Sequence, residues 1–146
     1  MMKNFFSGIS RRDFLFISLI LIALLAMIFL DTSVDILVDI EDTVLQITSP
    51  RLNVDIEHSH VVSVELIDMP VFGTKVGDSY EHERYCAGTW NNNDWGAYTL
   101  CVIPTNSKCV LVEVENDGFV VFSCTTDEKT EKLFDDYCAY FENLAA

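Results

Sequence analysis

CVLVEVENDGFVVFSC, from Cys109 to Cys124, holds two apolar runs on either side of Asn116-Asp117-Gly118. Cys109 to Glu115 and Phe119 to Cys124 are rich in β-branched and aromatic residues, and each has the length of a strand rather than of a helix. The break between them predicts a tight hairpin. Asp117-Gly118 is the stronger choice for its two central residues, because both need positive φ. That register pairs Asn116 with Phe119, sets Leu111 opposite Cys124 and leaves Cys109 and Cys124 without a disulfide.

Beyond Cys124 the period changes. Thr125 and Glu128 have capping-box spacing, with acids in the first turn. Leu133, Phe134, Tyr137, Cys138, Phe141 and Leu144 then recur at helical spacing. A helix with one apolar stripe is expected, closing an open face of the sheets. Upstream, Leu52 to Glu57 alternates apolar and polar residues, as half-buried strands do. Asp35 to Ile40 sets Ile36, Val38 and Ile40 on one face with Asp35 and Asp39 opposite, and Val61 to Ile67 sets Val62, Val64 and Leu66 on one face. Thr43 to Thr48, Tyr85 to Trp90 and Ala97 to Ile103 are further strands. Ser49-Pro50 and Asn91-Asn92-Asn93-Asp94 are turns. Met69 to Glu83 carries Pro70, Gly73 and Gly77 and reads as loop. The expected class is mainly β with one C-terminal α-helix.

The N-terminal region is of a different kind. Phe14 to Leu30 is apolar apart from Ser18, with Leu15, Leu19 and Leu24 among its large side chains. At 1.5 Å per residue it spans roughly 26 Å, near the lower limit for a hydrocarbon core of about 30 Å. Lipid offers the backbone no hydrogen-bond partner, so such a run inside a bilayer is helical. Lys3, Arg11 and Arg12 precede it, while Asp31, Asp35, Asp39, Glu41 and Asp42 follow. Basic flanks stay cytoplasmic. The expected organisation is a cytoplasmic flank at 1–13, a transmembrane helix at 14–30 and an extracytoplasmic domain at 31–146. A cleaved signal peptide competes with this, but no small-residue pair follows the run at cleavage spacing. Ser10-Arg11-Arg12-Asp13-Phe14-Leu15 is also similar to a twin-arginine export signal, which sends the domain the same way.

The chain of 146 residues carries a formal charge of −14. From Asp31 onward 22 acids face six bases, about −16 for the domain. Such a field repels nucleic acid and anionic head groups, so neither is an expected partner. The five cysteines, Cys86, Cys101, Cys109, Cys124 and Cys138, form no zinc-like spacing and read as core thiols. His58-Ser59-His60 would chelate a metal if it lay on a strand, with His82 and nearby glutamates completing the set. The competing reading is a solvated turn, and no metal or cofactor is expected. Cys86 near His82 is a conceivable thiol–imidazole pair, against a buried strand cysteine. No Gly-x-Ser-x-Gly elbow or phosphate-cradling loop is present. Trp90, Trp95 and Tyr98 flank the Asn-rich turn and would make a partner surface if exposed, or core if not.

Val64-Glu65-Leu66, then Pro70, Gly73-Thr74-Lys75, Gly88-Thr89-Trp90 and Gly96-Ala97-Tyr98 form a succession that resembles the bacterial pleckstrin-homology-like family. That family shows a similar Gly-Thr-Arg, Gly-x-aromatic, Gly-x-aromatic order, then a hairpin and an acidic helix start, matched here by Val110 to Leu133. The likeness covers roughly Val34 to Leu144, and such domains often follow a transmembrane segment. It implies a partly open barrel or two-sheet sandwich capped by the C-terminal helix, with a binding or scaffold role. Lipid-binding members grip inositol phosphates with basic residues near the first hairpin. Glu41-Asp42 stands there in this chain, so phosphoinositide binding is not expected. The resulting expectation is a single-span, non-catalytic binding module at the cell membrane with a protein partner. The alternatives are a metal-dependent envelope enzyme built on His58, His60 and His82, or an accessory subunit of a membrane complex.

Overall fold

The computed structural model describes residues 11–30 and 35–144. The chain divides into two units, one within Met1–Ser33 and one within Val34–Ala146. In the first, α1 covers Arg11–Leu30, 20 residues or about 30 Å of helix. Its side chains are described from Leu15 to Ala26. The large apolar ones are 47% to 74% exposed and occupy every side of the helix. Among the described residues no helix is long and apolar enough to cross a membrane. The flank before Arg11, with Lys3, and Asp31 lie outside the described residues, as do the side chains of Phe14 and Leu30.

The second unit has nine strands and one α-helix among its described residues. They run β1 (Leu37–Ile40), β2 (Val44–Ser49), β3 (Leu52–Glu57), a 3-10 turn at His58–His60, β4 (Val61–Asp68), β5 (Thr74–Glu81), β6 (Cys86–Asn92), β7 (Gly96–Val102), β8 (Lys108–Val114), β9 (Gly118–Phe122) and α2 (Asp127–Leu144). β1, β2 and β3 form an antiparallel sheet in that order. The second sheet has the order β4-β8-β9-β7-β6-β5. All its neighbours are antiparallel except β7 and β9, which pair in parallel from Thr99↔Val120 to Cys101↔Phe122. The link from β7 to β8 therefore steps over one strand position, and β9 turns back to fill it.

The two faces of the six-stranded sheet bury different cores. Val110, Val112, Val114, Val120 and Phe122 meet Leu45, Ile47 and Ile56 of the small sheet and Tyr137 of α2. Leu100, Val102, Cys109, Leu111 and Val121 point the other way, with Trp90 and Tyr98. Strands buried on both faces read as continuous apolar runs, which is why β8 and β9 lack alternation. Met69 and Phe72, in the link from β4 to β5, pack on this second core. The Tyr98 hydroxyl donates to the Phe72 carbonyl at 2.9 Å, and the Phe72 ring meets Trp90 edge-on at 5.6 Å.

Three local expectations are corrected. Thr74–Glu81 is a strand, not a loop. Val76 pairs with Thr89 and Tyr80 with Ala87, so β5 carries two extra residues and bulges over Gly88. Ser79 Oγ sits inside that bulge, 2.7 and 2.6 Å from the Val76 and Thr89 carbonyls, and donates its single proton to one or the other. Gly88, at φ +126, leaves the room: a Cβ there would sit 2.6 Å from Ser79 Oγ. The hairpin register also differs. Val114 pairs with Gly118, so Glu115-Asn116-Asp117 form a three-residue loop. Asn116, at φ +66, supplies the positive φ inside the turn closed by Asp117 N–H to Val114 O at 3.2 Å, and Gly118 follows at +81. Finally, the helix cap lies one residue later than read. Thr126 Oγ1 accepts from Lys129 N at 3.3 Å, and Thr130 Oγ1 accepts the Cys124 amide at 3.0 Å.

Candidate functional site

A cluster of polar and aromatic groups surrounds His58, at the 3-10 turn after β3. The ring is 7% exposed. Its Nε2 lies 2.7 Å from the Glu41 carbonyl and its Nδ1 3.0 Å from the Tyr137 hydroxyl. A carbonyl only accepts, so Nε2 donates to Glu41, while Nδ1 and the Tyr137 hydroxyl share the second hydrogen bond. Tyr140 packs against the imidazole at 4.7 Å and donates its hydroxyl to the Asp42 carbonyl at 2.6 Å. Burial pushes the Tyr137 hydroxyl well above its ordinary pKa, so it stays protonated. The cluster thus ties the β1–β2 turn and the end of β3 to α2. A cavity of about 440 Å³ lies beside it, lined by Asp42, Thr43, Val44, Glu57, His58, Ser59 and Tyr140.

His58, His60 and His82 are not brought together as ligands. The His58–His60 segment is a 3-10 turn rather than a strand, so His58 points inward and His60 outward. His60 is an exposed neighbour of Glu57 at 4.0 Å. His82 Nδ1 accepts the Arg84 amide at 3.2 Å and its ring stacks on Tyr80. Among the described residues no group of three or more His, Cys, Asp or Glu could hold a metal ion. Cys86 Sγ lies 3.8 Å from the His82 carbonyl and donates there, not to the imidazole.

The aromatic trio beside the Asn-rich turn is not a surface. Trp90 and Tyr98 are each 2% exposed and belong to the second core; Trp95 alone is half-buried, edge-on to Tyr98 at 5.2 Å. Alternation along β6 and β7 puts Trp90 and Tyr98, a register pair, on the inner face. Burial pushes the Tyr98 hydroxyl up to about 12.

All five thiols are free. Burial raises Cys101 to about 11 and Cys109 to about 12, and it also raises Cys86 and Cys124. Buried and protonated, these four are unsuited to nucleophilic work. Cys138 is the half-exposed one, raised by burial and then by Asp135 and Glu142.

One surface feature was missed in the sequence. Between β4 and α2 runs a cavity of about 230 Å³, lined by Val61, Val62, Ser63, Val64, Cys138 and Phe141. β4 is an end strand of its sheet, and the register shift between Val61 and Ser63 leaves Val62 60% exposed. The sequence sets Val62 on one face with Val64 and Leu66, whereas the register shift between Val61 and Ser63 puts Val61 with them on the core and turns Val62 out to solvent. Comparison of the chain with protein-family models, curated proteins and solved structures found no match.

Proposed function

We propose that this chain is a single-span, membrane-anchored binding or scaffold module whose extracytoplasmic domain, of pleckstrin-homology-like kind, engages a protein partner without catalysis. The observation that carries the reading is α1. Large apolar side chains on all its sides, from Leu15 to Leu25, do not match a helix that packs one stripe on a small domain. They match a helix surrounded by lipid, and the apolar sequence continues from Phe14 to Leu30. The domain likeness draws support from two sheets sharing a core with the C-terminal helix. A binding role draws support from the use of the polar groups. His58, Tyr137, Tyr140 and Tyr98 spend their hydrogen bonds on joining elements. The Glu41-Asp42 turn presents carboxylates where a phosphate-binding member would present bases, so phosphoinositide is not the proposed ligand.

The test is alkaline carbonate extraction of membranes, followed by affinity capture of the full chain from gently solubilised membranes. Retention in the pellet and a stoichiometric protein partner are expected. Release by carbonate would remove the anchor, and capture of the chain alone would remove the scaffold role.

A further inference from the structure

The β4–α2 groove combines three features. The first is an edge: β4 ends the six-stranded sheet, and among the described residues no strand pairs with its outer side. The second is an apolar floor of Val61, Val62, Val64 and Phe141, with Val62 raised by the bulge. The third is an acidic rim. Asp135, Cys138 and Glu142 follow one another along one side of α2, and both carboxylates act on the Cys138 thiol. Glu65 is exposed on β4 itself. Lys108, at the Asp68 end of the strand, is held by that carboxylate at 2.6 Å.

We infer that this groove takes an extended segment of a partner protein, carrying alternating apolar and basic side chains, as an added strand on β4. An unpaired edge supplies main-chain donors and acceptors to such a segment, and alternate side chains then fall into the apolar groove. The basic ones meet the rim, in a domain of about −16 that favours a cationic partner. A second copy of this chain is disfavoured as the occupant, because pairing two β4 edges sets acidic rims near one another. The inference rests on the binding-module reading and names the class of its partner.

The experiment uses the full chain in non-ionic detergent and a blocked decapeptide of alternating valine and lysine, with a valine–glutamate decapeptide as control. Saturable binding of the lysine peptide alone is expected, with slowed hydrogen exchange at Val62–Ile67 and slowed alkylation of Cys138. Asp135→Lys combined with Glu142→Lys should weaken binding about tenfold or more while leaving the thermal melt in place. Val62→Lys, at an exposed position, should do the same if the double variant melts early. No binding, or binding without protection of β4, overturns the inference. So does β4 protection that rises with chain concentration in the absence of peptide, which assigns the edge to a second copy. A membrane partner captured equally well by the wild-type chain and the variants overturns the groove and leaves the binding module standing. Failure of the wild-type chain to capture any partner removes the module itself.

Discussion

His58 shows how a single residue can change meaning between sequence and structure. In sequence it was half of a His-x-His pair with ligand spacing. In the fold both its nitrogens are engaged, by Glu41 and Tyr137, and only the neighbouring His60 faces solvent. Tyr137→Phe should leave His58 Nδ1 buried without its partner and cost about 1–3 kcal/mol, read as a lower midpoint in chemical denaturation. An unchanged midpoint would show that the hydroxyl contributes nothing. The thiols give a second prediction. Limited alkylation of the native chain should modify Cys138 far faster than Cys86, Cys101, Cys109 and Cys124, which are buried. Equal modification of all five before unfolding would contradict the packing described. Cys109 and Cys124 are both free thiols, as the sequence predicts, but the hairpin register differs from the one that leads to that prediction. In the actual register Val110 faces Phe122, which extrapolates to Ser123, not Cys124, opposite Cys109.

At the scale of elements, the strands read from alternation or from dense apolar runs are all present. The C-terminal helix is present too, from Asp127. β5 escaped because Gly73 and Gly77 normally punctuate. Here Gly77 sits in a bulge at φ +62, and Gly73 lets the chain pass against Asn91, where a Cβ would lie 2.1 Å from the carbonyl oxygen. Gly73→Ala should therefore be strongly destabilising, whereas Gly96→Ala, which meets no atom within 4 Å, pays only for its positive φ. Comparing the two thermal melts checks the distinction. Asp127 gives the pH dependence. Its carboxylate accepts from the Ser107 hydroxyl at 2.6 Å and from the Ser107 and Lys108 amides at 3.0 Å, which holds its pKa below the ordinary value. A depressed carboxylate stabilises the fold above its unfolded pKa, and that contribution fades as pH falls through the folded value. The Tm difference between the wild-type chain and Asp127→Asn should accordingly be full at neutral pH and shrink below about pH 4. A difference that stays constant to low pH would contradict the assignment.

At the scale of the whole molecule, the sequence disclosed class but not order. Strand existence is local and follows from residue pattern. The placement of β9 between β7 and β8, and of β4 beside β8, depends on pairings between distant residues that no local pattern specifies. The same holds for the groove, which needs β4 and α2 side by side before Val62 and Cys138 share a surface. The proposal that most needs testing is that α1 anchors the chain and the acidic domain lies outside the membrane. Lys129 and Lys132 are exposed on α2, and Lys3 precedes the apolar run. Intact cells are treated with a membrane-impermeant amine reagent, membranes are washed with alkaline carbonate, and the labelled lysines of the pelleted chain are mapped. The account predicts a pelleted chain labelled at Lys129 and Lys132 and unlabelled at Lys3; a chain found in the wash, or labelled at Lys129 and Lys132 only after lysis, would contradict it.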